Sequence, residues 1–279
     1  MQSLVSTEWL AAELGAPDLR IADATWFLPD DRRDARAEYE AAHIPGAVFL
    51  DLAELVDTAT DLPNMLPSLD EFADRMTALG LGDGARIVLY DNSPYNTAAR
   101  AWVMLRAFDA PDVAILDGGL AKWRAEGRET EMGRAASERR TLTPRDQGVG
   151  IVDLAAMKAL VDAGDAQIVD ARSPARFAGD EPEPRPGVVP GHIPGSHNLP
   201  QGKLFAEVGT WKRGDALREA FMAAGIDPAK PMVTTCGSGV TASVVAFGAH
   251  LLGGEARVYD GSWAEWGADP STAKATGPA

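Results

Sequence analysis

The sequence predicts an α/β protein made of two tandem domains, each a mostly parallel sheet with helices on both faces. Three observations carry this. Short β-branched runs alternate with longer stretches of helical spacing along the chain, the pattern of parallel strands joined by crossover helices. Four segments of the first half recur, in order, in the second. Arg20-Ile-Ala-Asp-Ala returns as Gln167-Ile-Val-Asp-Ala, and Ala42-His-Ile-Pro-Gly-Ala as Gly191-His-Ile-Pro-Gly-Ser. Ile87-Val-Leu-Tyr-Asp returns as Met232-Val-Thr-Thr-Cys, and Ala114-Ile-Leu-Asp-Gly-Gly-Leu as Arg257-Val-Tyr-Asp-Gly-Ser-Trp. Their separations, 147, 149, 145 and 143 residues, drift only as loop lengths do, so the chain is a duplication. Third, 279 residues suffice for two domains that each bury a core.

The elements follow in order. Residues 6–14 predict a short helix capped by Ser6, and Leu19-Arg-Ile-Ala-Asp-Ala a strand. A charged segment, Asp30 to Glu40, leads to the first His-Ile-Pro-Gly. Residues 68–79 have helical spacing (Leu69, Phe72, Met76, Leu79) behind Ser68. Residues 86–91 form a buried-strand pattern, 98–108 an apolar helix and 114–116 a strand. Asp117-Gly-Gly then turns into a helix opening at Leu120. In the second half, residues 152–161 predict a helix capped by Asp153, and residues 167–172 a strand. The polar stretch from Glu126 to Gly150 lacks apolar periodicity and divides the copies. The domains are accordingly 1–127, a linker at 128–149, and 150–279.

Bulk composition narrows the function. Hydrophobic residues at 46% and charged residues at 24% are ordinary for a soluble globular protein. The balance of 26 basic against 41 acidic residues, net −15, argues against nucleic acid or an anionic membrane as the main partner. The start, Met1-Gln-Ser-Leu-Val-Ser-Thr-Glu-Trp, has neither the basic region nor the apolar core of a signal peptide. One cysteine excludes an intrachain disulfide. Together these predict a cytoplasmic protein.

That one cysteine, Cys236, opens a glycine-bearing loop between a β-branched run (232–235) and an apolar stretch of helical length. A strand–loop–helix turn gathers backbone N–H groups and the positive helix end around one centre. Such a centre suits a thiolate. A cysteine used only for packing has no need of Gly237 and Gly239 beside it, so Cys236 is read as a nucleophile. The Cys-x5-Arg pattern of cysteine phosphatases needs an arginine six residues on to grip phosphate, and that position is Ala242. No histidine arrangement supports a cysteine protease. His43 and His192 belong to the duplicated turns, and His250 lies on the apolar stretch. None reads as a metal ligand. In the first copy the position of Cys236 is Asp91, so thiol chemistry there is excluded, and that copy reads as a structural partner.

The tandem copies, the paired His-Ile-Pro-Gly motifs, the Cys236-Gly-Ser-Gly-Val-Thr loop and the ending Tyr259-Asp-Gly-Ser-Trp-Ala-Glu-Trp resemble the two-domain rhodanese-like sulfurtransferases over nearly the whole chain. The resemblance implies two tandem rhodanese-like domains, the second catalytic. Within that group the loop is similar to that of 3-mercaptopyruvate sulfurtransferases. Thiosulfate-preferring members typically carry Arg-Lys where this chain has Gly237-Ser238. A neutral loop with a hydroxyl suits a donor whose charge is held elsewhere. The subfamily match implies that Arg176 and Arg185 bind the carboxylate and carbonyl end of 3-mercaptopyruvate, for which a guanidinium fork is the fitting group. Arg172, after a strand-end aspartate, is expected in an internal ion pair.

The implied chemistry is a two-step transfer with no metal or organic cofactor. The Cys236 thiolate takes the donor's sulfur, and a thiol or cyanide acceptor, a thioredoxin-like protein among the candidates, removes it. Ser238 stands beside the nucleophile, and the amides of Gly237, Gly239, Val240 and Thr241 are expected to hold the anion. There is one departure: some members place a histidine and an acid beside that serine, where this chain has Asn64 and Ala53. Asn64 can hydrogen-bond but cannot take a proton.

Overall fold

The computed structural model describes residues 1–110, 112–143, 145, 150–164 and 166–278. The chain forms two compact units. One comprises Met1–Asp57, Leu66–Gly148 and Val208–Thr210. The other comprises Thr58–Met65, Val149–Glu207 and Trp211–Ala279. The short segment Thr58–Met65 thus belongs to the second unit although the sequence places it deep in the first copy.

The first unit contains β1 (Leu4–Val5), α1 (Thr7–Glu13), β2 (Leu19–Asp23), α2 (Ala35–Ala41), β3 (Val48–Phe49), α3 (Leu69–Ala78), β4 (Arg86–Tyr90), α4 (Ala98–Ala107), β5 (Val113–Leu116) and α5 (Gly119–Ala125). Its strands run in the order β1-β5-β4-β2-β3, and every pair is parallel. Local chemistry sets the boundaries. The Ser6 hydroxyl accepts the Trp9 amide to start α1, and Ser68 and Glu71 close a reciprocal capping box on α3. The sheet buries Val5, Ile21, Val88, Ala114 and Leu116 against Leu10, Leu120 and Trp123.

The second unit contains β6 (Ile151–Val152), α6 (Leu154–Ala163), β7 (Gln167–Asp170), α7 (Pro174–Ala178), β8 (His197–Asn198), α8 (Gly214–Ala223), β9 (Met232–Thr235), α9 (Val240–Leu251), β10 (Ala256–Tyr259) and α10 (Ser262–Trp266). The order is β6-β10-β9-β7-β8, again all parallel. It is the first unit's order repeated, as a duplication requires. Its core joins Ile168, Val233 and Tyr259 to Met157, Trp263 and Trp266.

One expectation needs correction. Val152 is not helical: with Ile151 it pairs alongside Val258 and Tyr259, and α6 starts after Asp153, whose carboxylate accepts the Ala156 amide at 2.8 Å. The described part of the stretch expected as the linker packs on the first unit. Glu131 exchanges both backbone hydrogen bonds with His43, Gly133 donates to Glu40, Thr141 accepts from Asp83, and Leu142 is buried. It is a strap on the first unit, polar on its outer side because only its backbone and a few side chains face the domain. The second unit has the same device at its end, where Ala275 exchanges both bonds with His192 and Gly277 donates to Ala178. Each strap closes over a His-Ile-Pro-Gly turn whose histidine stacks on an aromatic ring, Tyr39 or Phe177, and holds a carbonyl through Nδ1.

At the end of β4, where the second copy has its cysteine, the Asp91 carboxylate accepts the amides of Ser93 at 2.9 Å and of Ala98, the first residue of α4, at 2.8 Å. The first copy therefore fills its own cradle with a side-chain anion. Burial, with a further push from Asp23 and opposition from those two amides, raises the Asp91 pKa to about 6. An unfolded aspartate titrates near 3.9. A raised folded value contributes stability that is full below about pH 4 and lost as pH rises through about 6. Wild-type stability measured against Asp91→Asn should therefore fall by roughly 2 kcal/mol between pH 4 and 7. Urea midpoints across that range check it, and a pH-independent difference would exclude the assignment.

Candidate active site

All four residues of β9, a central strand of the second unit, are buried, and Cys236 follows at its carboxyl end, 2% exposed. This is where open parallel sheets place ligands. Gly239 adopts φ +80° and opens α9 without a capping side chain, which leaves the first amides of a twelve-residue helix to the loop. The carbonyls of Cys236 and Gly237 accept the amides of Trp263 and Ala264, each at 3.0 Å. In a trans peptide the N–H lies opposite the C=O, so the amides of Gly237 and Ser238 face away from α10. The amide of Cys236 itself is turned the other way and donates to the Ser262 hydroxyl at 3.2 Å.

The two loop glycines answer different needs. Gly239 meets a backbone requirement. Gly237 meets a spatial one: a β-carbon there would lie 3.2 Å from Nη2 and 3.5 Å from Nη1 of Arg176, so that guanidinium covers the residue after the cysteine. Arg176 sits on α7, whose start is fixed by Ser173 accepting the Arg176 amide.

The arginine cluster is more paired than expected. Arg176 is not an open fork: its Nη2 binds Glu183 at 2.5 Å, while its buried Nε has no partner among the described residues. Glu183 also binds Arg172 at 2.8 Å. Arg172 is locked further by Asp170 at 2.6 Å and the Gly191 carbonyl at 2.7 Å, and it lies over the Trp263 ring. It is the internal ion pair that its position suggested. Arg185 is half-buried and has no ion pair among the described residues. Burial, and then the neighbouring Arg176 charge, hold its pKa below the usual guanidinium value, while Cys236 and Glu183 act in the opposite direction. Arg172 and Arg185 therefore both lie within electrostatic reach of Cys236.

Ser238 is buried, and its hydroxyl accepts the Asn64 amide at 2.9 Å. Asn64 reaches it from Thr58–Met65, the segment incorporated into this unit. Val240 and Thr241 form the first turn of α9, with Val240 buried and Thr241 partly exposed. Ala53 lies in the first unit, exposed to solvent. The structure thus brings Cys236, Gly237, Ser238, Arg176 and Arg185 to one place in one unit. It adds Glu183 and Ser262, which sequence reasoning missed. Glu183 had no sequence signal in its Glu-Pro-Glu-Pro-Arg setting. Ser262 had one, since it stands opposite Gly119 in the repeat.

A buried thiol at the end of a parallel strand, within electrostatic reach of guanidinium groups and before a helix with no capping side chain, is an arrangement able to hold a thiolate. The comparisons agree. The model of the rhodanese-like domain matches residues 6–126 and 153–269, and the chain belongs to the rhodanese-like family as a two-domain sulfurtransferase. It is 39% identical to the human 3-mercaptopyruvate sulfurtransferase, covering 95% of this chain and 92% of that protein. Identity to the Escherichia coli K12 3-mercaptopyruvate sulfurtransferase is 38%, covering 95% and 94%. Identity to the mitochondrial thiosulfate/3-mercaptopyruvate sulfurtransferase 1 of Arabidopsis thaliana is 40%, covering 96% and 77%. The crystal structure of SseA from Escherichia coli superposes with a TM-score of 0.86 at 36% identity, covering 94% of this chain and 99% of that one. That of Tum1 from Saccharomyces cerevisiae gives 0.89 at 29%, covering 99% of each.

Proposed function

We propose that the enzyme transfers the sulfur of 3-mercaptopyruvate to a thiol or cyanide through a persulfide on Cys236, releasing pyruvate. The observation that carries this reading is the Arg176 guanidinium lying over Gly237, with Arg185, which has no ion pair among the described residues, in electrostatic contact with it. A keto-acid carboxylate docked on those groups leaves its β-carbon sulfur directed at the loop. The Cys236 thiolate attacks that sulfur, the sulfur–carbon bond breaks, and its electron pair passes into the pyruvate enolate. The enolate then takes a proton. Cys236 keeps the sulfur as a persulfide until an acceptor thiolate or cyanide attacks the outer atom and regenerates the thiolate. Amides from Gly237 to Thr241 stabilise the anion at each stage, and the Ser238 hydroxyl, oriented by Asn64, offers it a donor. Asn64 takes no proton, so no relay runs through it.

The names of the relatives support this donor, and one of them includes thiosulfate as well. The neutral Gly237-Ser238 pair favours 3-mercaptopyruvate, because thiosulfate carries two charges on a small body and gains most from cations next to the cysteine. Steady-state kinetics with both donors decide: kcat/KM for 3-mercaptopyruvate should exceed that for thiosulfate by at least about tenfold. A higher value for thiosulfate overturns the assignment. Mass spectrometry after donor and before acceptor should show one added sulfur on Cys236.

A further inference from the structure

Ser262 is in the left-handed region, φ +49°, where a residue with a β-carbon is disfavoured. Its counterpart in the first copy is Gly119, φ +56°, in the matching Asp-Gly-Gly turn. The backbone around the two is equivalent. Leu120 donates to the Asp91 carbonyl at 3.1 Å, as Trp263 donates to the Cys236 carbonyl at 3.0 Å. In the first copy glycine is the fitting residue, since a β-carbon at 119 would lie 2.4 Å from the Asp91 carbonyl oxygen. The second copy has a serine in the same unfavourable conformation. Its hydroxyl is fully buried, donates to the Tyr259 carbonyl at 2.8 Å and accepts the amide of Cys236 at 3.2 Å.

We infer that Ser262 is a positioning residue for the nucleophile: its hydroxyl fixes the peptide plane before Cys236 and so aims the thiolate. Donation to the Tyr259 carbonyl fixes the direction of the hydroxyl's hydrogen and leaves its lone pairs for the Cys236 amide. Among the described residues the hydroxyl is the acceptor this buried amide finds, and with the carbonyl of Cys236 tied to Trp263 both ends of the residue are anchored to one turn. Backbone strain of this kind persists where the surroundings impose it and concentrates at functional sites. Here it occurs in the copy that carries the cysteine, where the other copy has glycine.

The inference rests on Cys236 being the nucleophile, and the test separates the two. Ser262→Gly removes the hydroxyl and relieves the backbone, two effects of opposite sign and similar size, so it should melt close to wild type. Ser262→Ala keeps the strain and loses the hydroxyl. Active sites are counted by iodoacetamide titration of Cys236, and single-turnover persulfide formation is measured per titrated site with 3-mercaptopyruvate. Both variants should form the persulfide about tenfold more slowly at saturating donor, with donor KM within about twofold of wild type. A purely structural role predicts a changed melting point or active-site count with the rate per site unchanged, and that result in Ser262→Gly overturns the inference. If wild type itself forms no persulfide from any donor, the proposed function is what has failed.

Discussion

Cys236→Ser should abolish sulfur transfer from every donor, by at least about 10³-fold, with the fold intact. A serine hydroxyl is far too weakly acidic to ionise in this setting, and with no sulfur atom it forms no persulfide. The added-sulfur mass on residue 236 should disappear with the activity. Stability should change little, since serine is nearly isosteric and the chain has no second cysteine with which this one could pair. The anion cradle itself survives the change: α9 remains uncapped, and the loop carbonyls remain tied to Trp263 and Ala264. Transfer persisting in the variant would mean that the loop binds donor and acceptor together and the sulfur passes directly between them. The first unit gives no alternative nucleophile, because Asp91 occupies the matching position and its carboxylate is consumed by two amides.

Much of this was legible in the sequence because its signals are local. The Ser68 cap, the buried run 86–91 and the loop glycines around Cys236 are each decided by neighbours within a few residues, and the duplication made each half a check on the other. What escaped was set by long-range contact. Ile151–Val152 is too short for periodicity and is a strand only because Val258 and Tyr259 pair with it. The polar stretch after Glu126 is a strap because Glu131 finds His43, more than eighty residues earlier. Asn64 could be set beside the cysteine only through family resemblance; its hydrogen bond to Ser238 spans 174 residues. Glu183 escaped because acidic residues ordinarily face solvent, whereas its side chain here is buried and bound by two arginines.

That pairing makes the arginines unequal, and Arg185 gives the cleaner experiment. Removing Arg176 also deprives Glu183 of a partner, so a loss of activity would mix binding with rearrangement of the Arg172–Glu183–Arg176 chain. Arg185 has no such partner among the described residues, and a half-buried cation beside another cation is held at a cost that its removal relieves. Arg185→Ala should therefore be as stable as wild type or slightly more so in urea. It should nevertheless lose about 100-fold in kcat/KM for 3-mercaptopyruvate, the size of one or two charge-assisted hydrogen bonds to a carboxylate. Arg185→Lys should recover only part of that, since a point charge replaces a planar fork. Thiosulfate, which has no carboxylate to place, should lose much less. An equal loss for both donors would mean that Arg185 acts through its field on Cys236 and not by holding the keto-acid end. A loss of stability with no loss of activity would remove it from the site altogether. The expected combination, unimpaired folding with a donor-selective defect, is what distinguishes a cation kept for its substrate from one kept for the fold.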